Sequence, residues 1–99
     1  MAKRGPAPDV APVIYNGLKI VAPNSPETIG QVEAWDEATH TKVWTKEVFE
    51  IEYDPALERD VQWVFITRLK VKGDFLYVTD EKGRSYLLSL LEPEIEEVG

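Results

Sequence analysis

The chain has 99 residues, no cysteine and a formal net charge of −7 at pH 7. That length is one ordinary domain, and the missing thiols exclude disulfides, thiolate metal sites and a cysteine nucleophile. The four glutamates of residues 92–99 hold over half of the excess charge, and a chain with this balance offers no electrostatic footprint to a phosphate backbone or an anionic lipid surface.

No stretch approaches the ~20 apolar residues needed to span a bilayer. Met1-Ala2-Lys3-Arg4 resembles the charged start of a signal peptide, but Gly5-Pro6-Ala7-Pro8-Asp9 follows in place of an apolar segment. With the missing cysteines, this points to the cytoplasm; export after removal of a signal is the alternative. Residues 1–11, with Pro6 and Pro8 spaced by alanine, read as a disordered arm, residues 12–92 as a single β domain, and residues 93–99 as an acidic tail.

Val13-Ile14-Tyr15 and Leu18–Ala22 flank Asn16-Gly17, the pair that a type I′ hairpin turn favours because both of its central residues need positive φ. Pro23-Asn24-Ser25-Pro26 then breaks the strand. From Gly30 to Asp36 the side chains alternate, with Val32, Ala34 and Asp36 on one face and Gln31, Glu33 and Trp35 on the other. After a polar turn at 37–41, the spacing predicts a long strand from Lys42 to Tyr53, with Val43, Thr45, Phe49, Ile51 and Tyr53 sharing one parity. Asp54 suits a helix N-cap and Pro55 the first helical position, which predicts a short helical turn near residues 55–60.

Three further strands are expected at about 62–71, 75–79 and 84–91, punctuated by Gly73-Asp74 and Lys82-Gly83. The predicted class is therefore all-β: about seven short antiparallel strands in a meander, forming a sandwich, a small barrel or propeller-blade-like sheets. Several strands are apolar on both faces, unlike a sheet with one wet side. Ile66, Leu76, Val78, Leu87 and Leu91 are assigned to the faces opposite their core partners. Covering them requires a sheet closed on itself or a homodimer.

The sharpest local pattern runs from Ala34 to Trp44, where Ala34, Asp36, Thr39 and Trp44 stand at the spacings Ala-x-Asp-x-x-Thr-Gly-x-x-x-Trp. This resembles the blade motif of quinoprotein-type β-propellers, in which it closes the hairpin between the third and fourth strands of a blade. His40 replaces the glycine of that motif, at a position the family uses for a left-handed turn. The resemblance implies a hairpin and a docked Trp44. It implies neither the family's quinone cofactor nor its alcohol oxidation, because a propeller needs at least four blades and this chain holds at most two, the second a strand short.

Other chemistry is sparse. His40 is the sole histidine and reads as a solvated turn residue. No three-His zinc site or Ser-His pair can be built from it. Glu47, Glu50, Glu52, Asp54, Glu58 and Asp60 form an acidic run without a calcium-loop pattern, and Glu50 and Glu52 are expected on one outward, solvated face. Trp35, beside Gln31 and Glu33, and Trp63, opening a strand after a charged loop, are the candidate partner-binding residues; burial in a second apolar layer is the competing reading. No catalytic, cofactor-binding or metal-binding residue is assigned, and no cofactor is expected. The function these features suggest is a small non-catalytic interaction module that binds a protein partner or a second copy of itself, without nucleic acid or membrane. An accessory or degenerate relative of propeller proteins and a carboxylate-based enzyme are the alternatives.

Overall fold

The computed structural model describes residues 7–91. Residues 1–6 of the arm and the whole of the acidic tail assigned to 93–99 lie outside the described residues. The described residues are all-β, with seven antiparallel strands: β1 (Val13–Tyr15), β2 (Leu18–Val21), β3 (Gln31–Asp36), β4 (Lys42–Glu47), β5 (Ile66–Lys72), β6 (Phe75–Asp80) and β7 (Ser85–Ser89). They form two meander sheets, β1-β2-β3-β4 and β5-β6-β7, and neither closes into a barrel.

Turn chemistry sets the registers. Asn16 and Gly17 both hold positive φ, at 49° and 78°, and pair Tyr15 with Leu18 and Val13 with Ile20, the hairpin expected from the sequence. At the β3–β4 turn, Asp36 Oδ1 accepts from the amides of Ala38 (2.8 Å) and Thr39 (3.1 Å). The next residue, His40, takes φ of 60°, so histidine does occupy the left-handed position for which the motif uses glycine. The β6–β7 turn repeats this design: Asp80 Oδ1 accepts from the Lys82 amide (2.9 Å) and Gly83 supplies the positive φ of 82°.

The inner faces of the two sheets share one core. Ile20, Val32 and Ala34 come from the first sheet, Ile66, Leu69, Leu76 and Val78 from the second, and Leu90 from beyond β7. Trp44, Phe49, Tyr86 and Leu88 pack around them, and Val10 reaches the cluster from the arm. The assignment of faces on the second sheet is corrected here. Ile66, Leu76 and Val78 are fully buried against the first sheet, whereas Phe75 and Tyr77 face out; Leu87 and Leu91 lie away from the core, as assigned, but are left uncovered. Alternation reveals that two faces exist but not which one the other sheet covers.

Asn24 joins the sheets through polar groups. Buried in the loop after β2, at φ of 54°, its Nδ2 donates to the Ile66 carbonyl (2.9 Å) and its Oδ1 accepts from the Ile66 amide (3.0 Å). The carboxamide thus serves the start of β5 as a neighbouring strand would, satisfying backbone groups that would be costly to bury alone.

Two expected elements are shorter or displaced. The strand predicted over 42–53 ends at Glu47, because the Gly30 carbonyl accepts from the amides of both Val48 (2.7 Å) and Phe49 (3.3 Å) and draws the chain off the ladder. Gly30 permits this approach: at φ of +80°, a Cβ there would lie 2.2 Å from the Phe49 carbonyl oxygen. The helical turn expected at 55–60 is replaced by an Asp54-capped turn, in which the Ala56 amide donates to Asp54 Oδ1 (2.9 Å), and by a 3-10 turn at Asp60–Gln62. Gln62 ties this segment down, since its Nε2 donates to the carbonyls of Asp54 (3.1 Å) and Glu58 (3.0 Å) and its Oε1 accepts from the Asp54 amide (2.7 Å). The strand predicted from residue 62 accordingly begins at Ile66.

Candidate functional site

The outer face of the three-stranded sheet is a regular grid. Antiparallel pairing aligns Lys72, Phe75 and Ser89 in one row, Lys70, Tyr77 and Leu87 in the next, and Arg68, Thr79 and Ser85 in the third. Alternate residues on a strand stand roughly 6.6–6.8 Å apart and neighbouring strands roughly 4.8 Å. Along β5 lies a line of cations, along β6 two aromatic rings, and along β7 an aliphatic side chain between serines. Phe75, Tyr77 and Leu87 retain 42%, 38% and 58% of their accessible surface. Arg68, Lys70 and Lys72 are exposed, and none is ion-paired with a described residue. No carboxylate occupies an outward position on these strands, because Asp80 points inward and is buried.

The platform is firmly held from behind. Leu69, Leu76 and Val78, the inward residues beneath the grid, are core. At one end, the Leu90 amide donates to the Asp74 carbonyl (2.8 Å), and Tyr15 Oη donates to Asp74 Oδ1 (2.8 Å), tying the first sheet to the β5–β6 turn. That bond to a carboxylate raises the Tyr15 phenol above its ordinary pKa. At the other end, Asp80 accepts from the amides of Lys82 and Arg84, from Arg84 Nε (2.9 Å) and from Tyr86 Oη (2.9 Å). Burial pushes the Asp80 carboxyl upward, but the Arg84 amide, the Tyr86 hydroxyl and the Arg84 guanidinium outweigh it and hold the group below the usual carboxylate range.

The two candidate tryptophans have different surroundings. Trp35 is half-buried on the outer side of β3. Its Nε1 donates to Glu33 Oε1 (3.0 Å), and the Lys42 ammonium lies 5.9 Å from the ring centroid and 3.7 Å from Glu33 Oε2. With Lys19, Val21 and His40 it lines a shallow depression of about 300 Å³. Trp63 is half-buried in the segment before β5, its ring centroid 6.2 Å from that of Phe65. Trp44 is half-buried on the core side of β4.

The acidic run does not form a carboxylate site on a strand. Glu50 and Glu52 are exposed in irregular chain and line a cleft of about 410 Å³ with Gln62, Lys82, Arg84 and Tyr86. Arg84 and Tyr86 are engaged with Asp80 there; the carboxylate raises the Arg84 guanidinium, and burial together with that carboxylate raises the Tyr86 phenol. Among the described residues, no group of three potential metal-ligating side chains occurs.

Sequence reasoning missed the grid, although its signal is present in the strict alternation Arg68-Leu69-Lys70-Val71-Lys72. Alignment of those cations with Phe75, Tyr77 and Leu87 follows from register and from which face is covered. No model of a known protein family matches the chain, and no curated protein is significantly similar to it. Among the described residues, no helix is long and apolar enough to cross a membrane.

Proposed function

We propose that the protein is a small, non-catalytic β-sheet interaction module whose partner sits on the outer face of β5-β6-β7. The observation that carries this reading is the contiguous exposure of Phe75, Tyr77 and Leu87 across two paired strands whose opposite face is core. Aromatic side chains on a rigid backing lose little entropy on binding and supply much of the contact energy at protein interfaces. Engagement of Arg84 and Tyr86 with Asp80 supports a structural role for that cluster. A cysteine-free chain suits a reducing compartment, so the reading places it in the cytoplasm. Photocrosslinking tests the face. A benzophenone side chain at position 87 is expected to yield a specific heavier adduct in the native cells, whereas one at exposed Glu37 yields none. Equal labelling from both positions, or none from 87, would remove this face as the interface.

A second reading, kinship with propeller blade repeats, is supported by the first sheet. Its four-stranded meander places the Ala34–Trp44 motif between the third and fourth strands, His40 takes the left-handed position, and Trp44 packs into the core. A longer relative with successive copies of the β1–β4 unit would establish this origin. Independent evolution of the hairpin is the reading favoured if relatives keep the fold but lose the motif.

A further inference from the structure

We infer that the partner seated on this face is an extended acidic polypeptide segment in which carboxylates alternate with apolar residues. The inference rests on the interface proposed above and adds the chemistry of what occupies it. Complementarity of charge and of repeat carries it. Arg68, Lys70 and Lys72 face outward from alternate positions of β5, exposed and with no outward carboxylate on the three strands to neutralise them. Their spacing of roughly 6.6–6.8 Å is that of alternate side chains along any extended peptide. Glutamates or aspartates at every second position of such a segment meet the three cations in register.

The rest of the grid sorts between anionic ligands. Beyond the cations, the face offers two rings and then Leu87, with Ser85 and Ser89 on either side. A segment lying over the line between β5 and β6, its side chains directed alternately to either side, sets its carboxylates over the cations of β5 and its apolar residues over Phe75 and Tyr77, with Leu87 extending the contact. A single-stranded nucleic acid also uses cations and rings, but it presents a phosphate at every residue to a protein of net charge −7, and an aliphatic strip gives its bases less than aromatic stacking would. The alternating peptide brings fewer charges and uses all three columns. Because the cations are exposed, their contribution is screened by salt and acts chiefly on selectivity and association rate.

The test uses the full chain and a fluorescein-labelled nonapeptide alternating glutamate with valine, its lysine–valine counterpart and a nine-nucleotide oligothymidylate, followed by fluorescence anisotropy and by backbone amide spectra. The expected result is binding of the glutamate peptide that weakens as salt rises from about 50 to about 300 mM, with amide shifts concentrated on β5 and β6. Lys70→Glu should weaken it roughly tenfold. Lys19→Glu changes the net charge equally but lies on the other sheet, and should leave the affinity within about twofold. Equal binding of the lysine peptide, tighter binding of the oligothymidylate, no binding of the glutamate peptide, or shifts confined to the first sheet would each overturn the inference. If the peptide fails while the crosslink from position 87 forms, the acidic class falls and the interface stands. If neither occurs, both fall.

Discussion

At the scale of single residues, two buried polar side chains hold positions that apolar residues could not replace. Asp80 is ionised inside the fold because four donor groups converge on it. Its pKa is depressed in the folded state, so its contribution to stability is fully present above the unfolded carboxylate value of about 3.9 and is lost as pH falls through the lower folded value. Asp80→Asn should therefore lower stability at neutral pH by roughly 1.5–3 kcal/mol. The gap from the wild type should close on acidification, which denaturant melts at pH 7 and pH 3 would read; an equal gap at both pH values would show that the carboxylate charge is not the cause. Asn24 acts through shape. Removing its carboxamide in Asn24→Ala leaves the Ile66 amide and carbonyl without their partner, at about 1–3 kcal/mol for each group left buried. Hydrogen exchange at the Ile66 amide should accelerate with it.

At the scale of elements, close backbone approach and left-handed turns decide where strands begin and end. Gly30→Ala must displace the Phe49 carbonyl and hold an L-residue at φ of +80°, so a loss on the order of 3 kcal/mol or more is expected in thermal or denaturant unfolding. Gly17→Val isolates the conformational part, since nothing lies within 4 Å of a Cβ there; its cost should be about 1–3 kcal/mol. Wild-type melting of that variant would show that the turn does not need its positive φ. Trp44 is half-buried against the core. Trp44→Ala should accordingly cost about 2–3 kcal/mol, less than truncation of a fully buried tryptophan. These three changes act at separate sites, two in turns and one on a strand.

At the scale of the whole molecule, the two sheets cover each other's apolar faces, which removes the need for a second copy to shield Ile66, Leu76 and Val78. Sedimentation at tens of micromolar should therefore report a monomer of 11.2 kDa. A dimer would assign the Phe75, Tyr77 and Leu87 patch to self-association. Charge, too, has to be read at this scale. The chain total of −7 coexists with an outward face whose charged strand residues are all cationic, because folding turns the strand carboxylate Asp80 inward and lines up Arg68, Lys70 and Lys72 on the other side.

The amino-acid order by itself determined the all-β class, the antiparallel meander and the Asn16-Gly17 hairpin. Those features depend on local φ preferences and on a side-chain period of two, both of which act over a few neighbouring residues. The same local signals placed a long strand over 42–53, since nothing within that stretch reveals that the Gly30 carbonyl, some twenty residues earlier, captures Val48 and Phe49. Only the tertiary structure decided that Leu76 and Val78 face the core while Phe75 and Tyr77 face out, because a strand apolar on both sides leaves that choice to the sheet that packs against it. It likewise brought Asn24 to Ile66 across 42 residues and aligned the cations of β5 with the rings of β6 and Leu87 of β7. The candidate site is a property of register between strands, and register is fixed by turns, pairing and burial acting together.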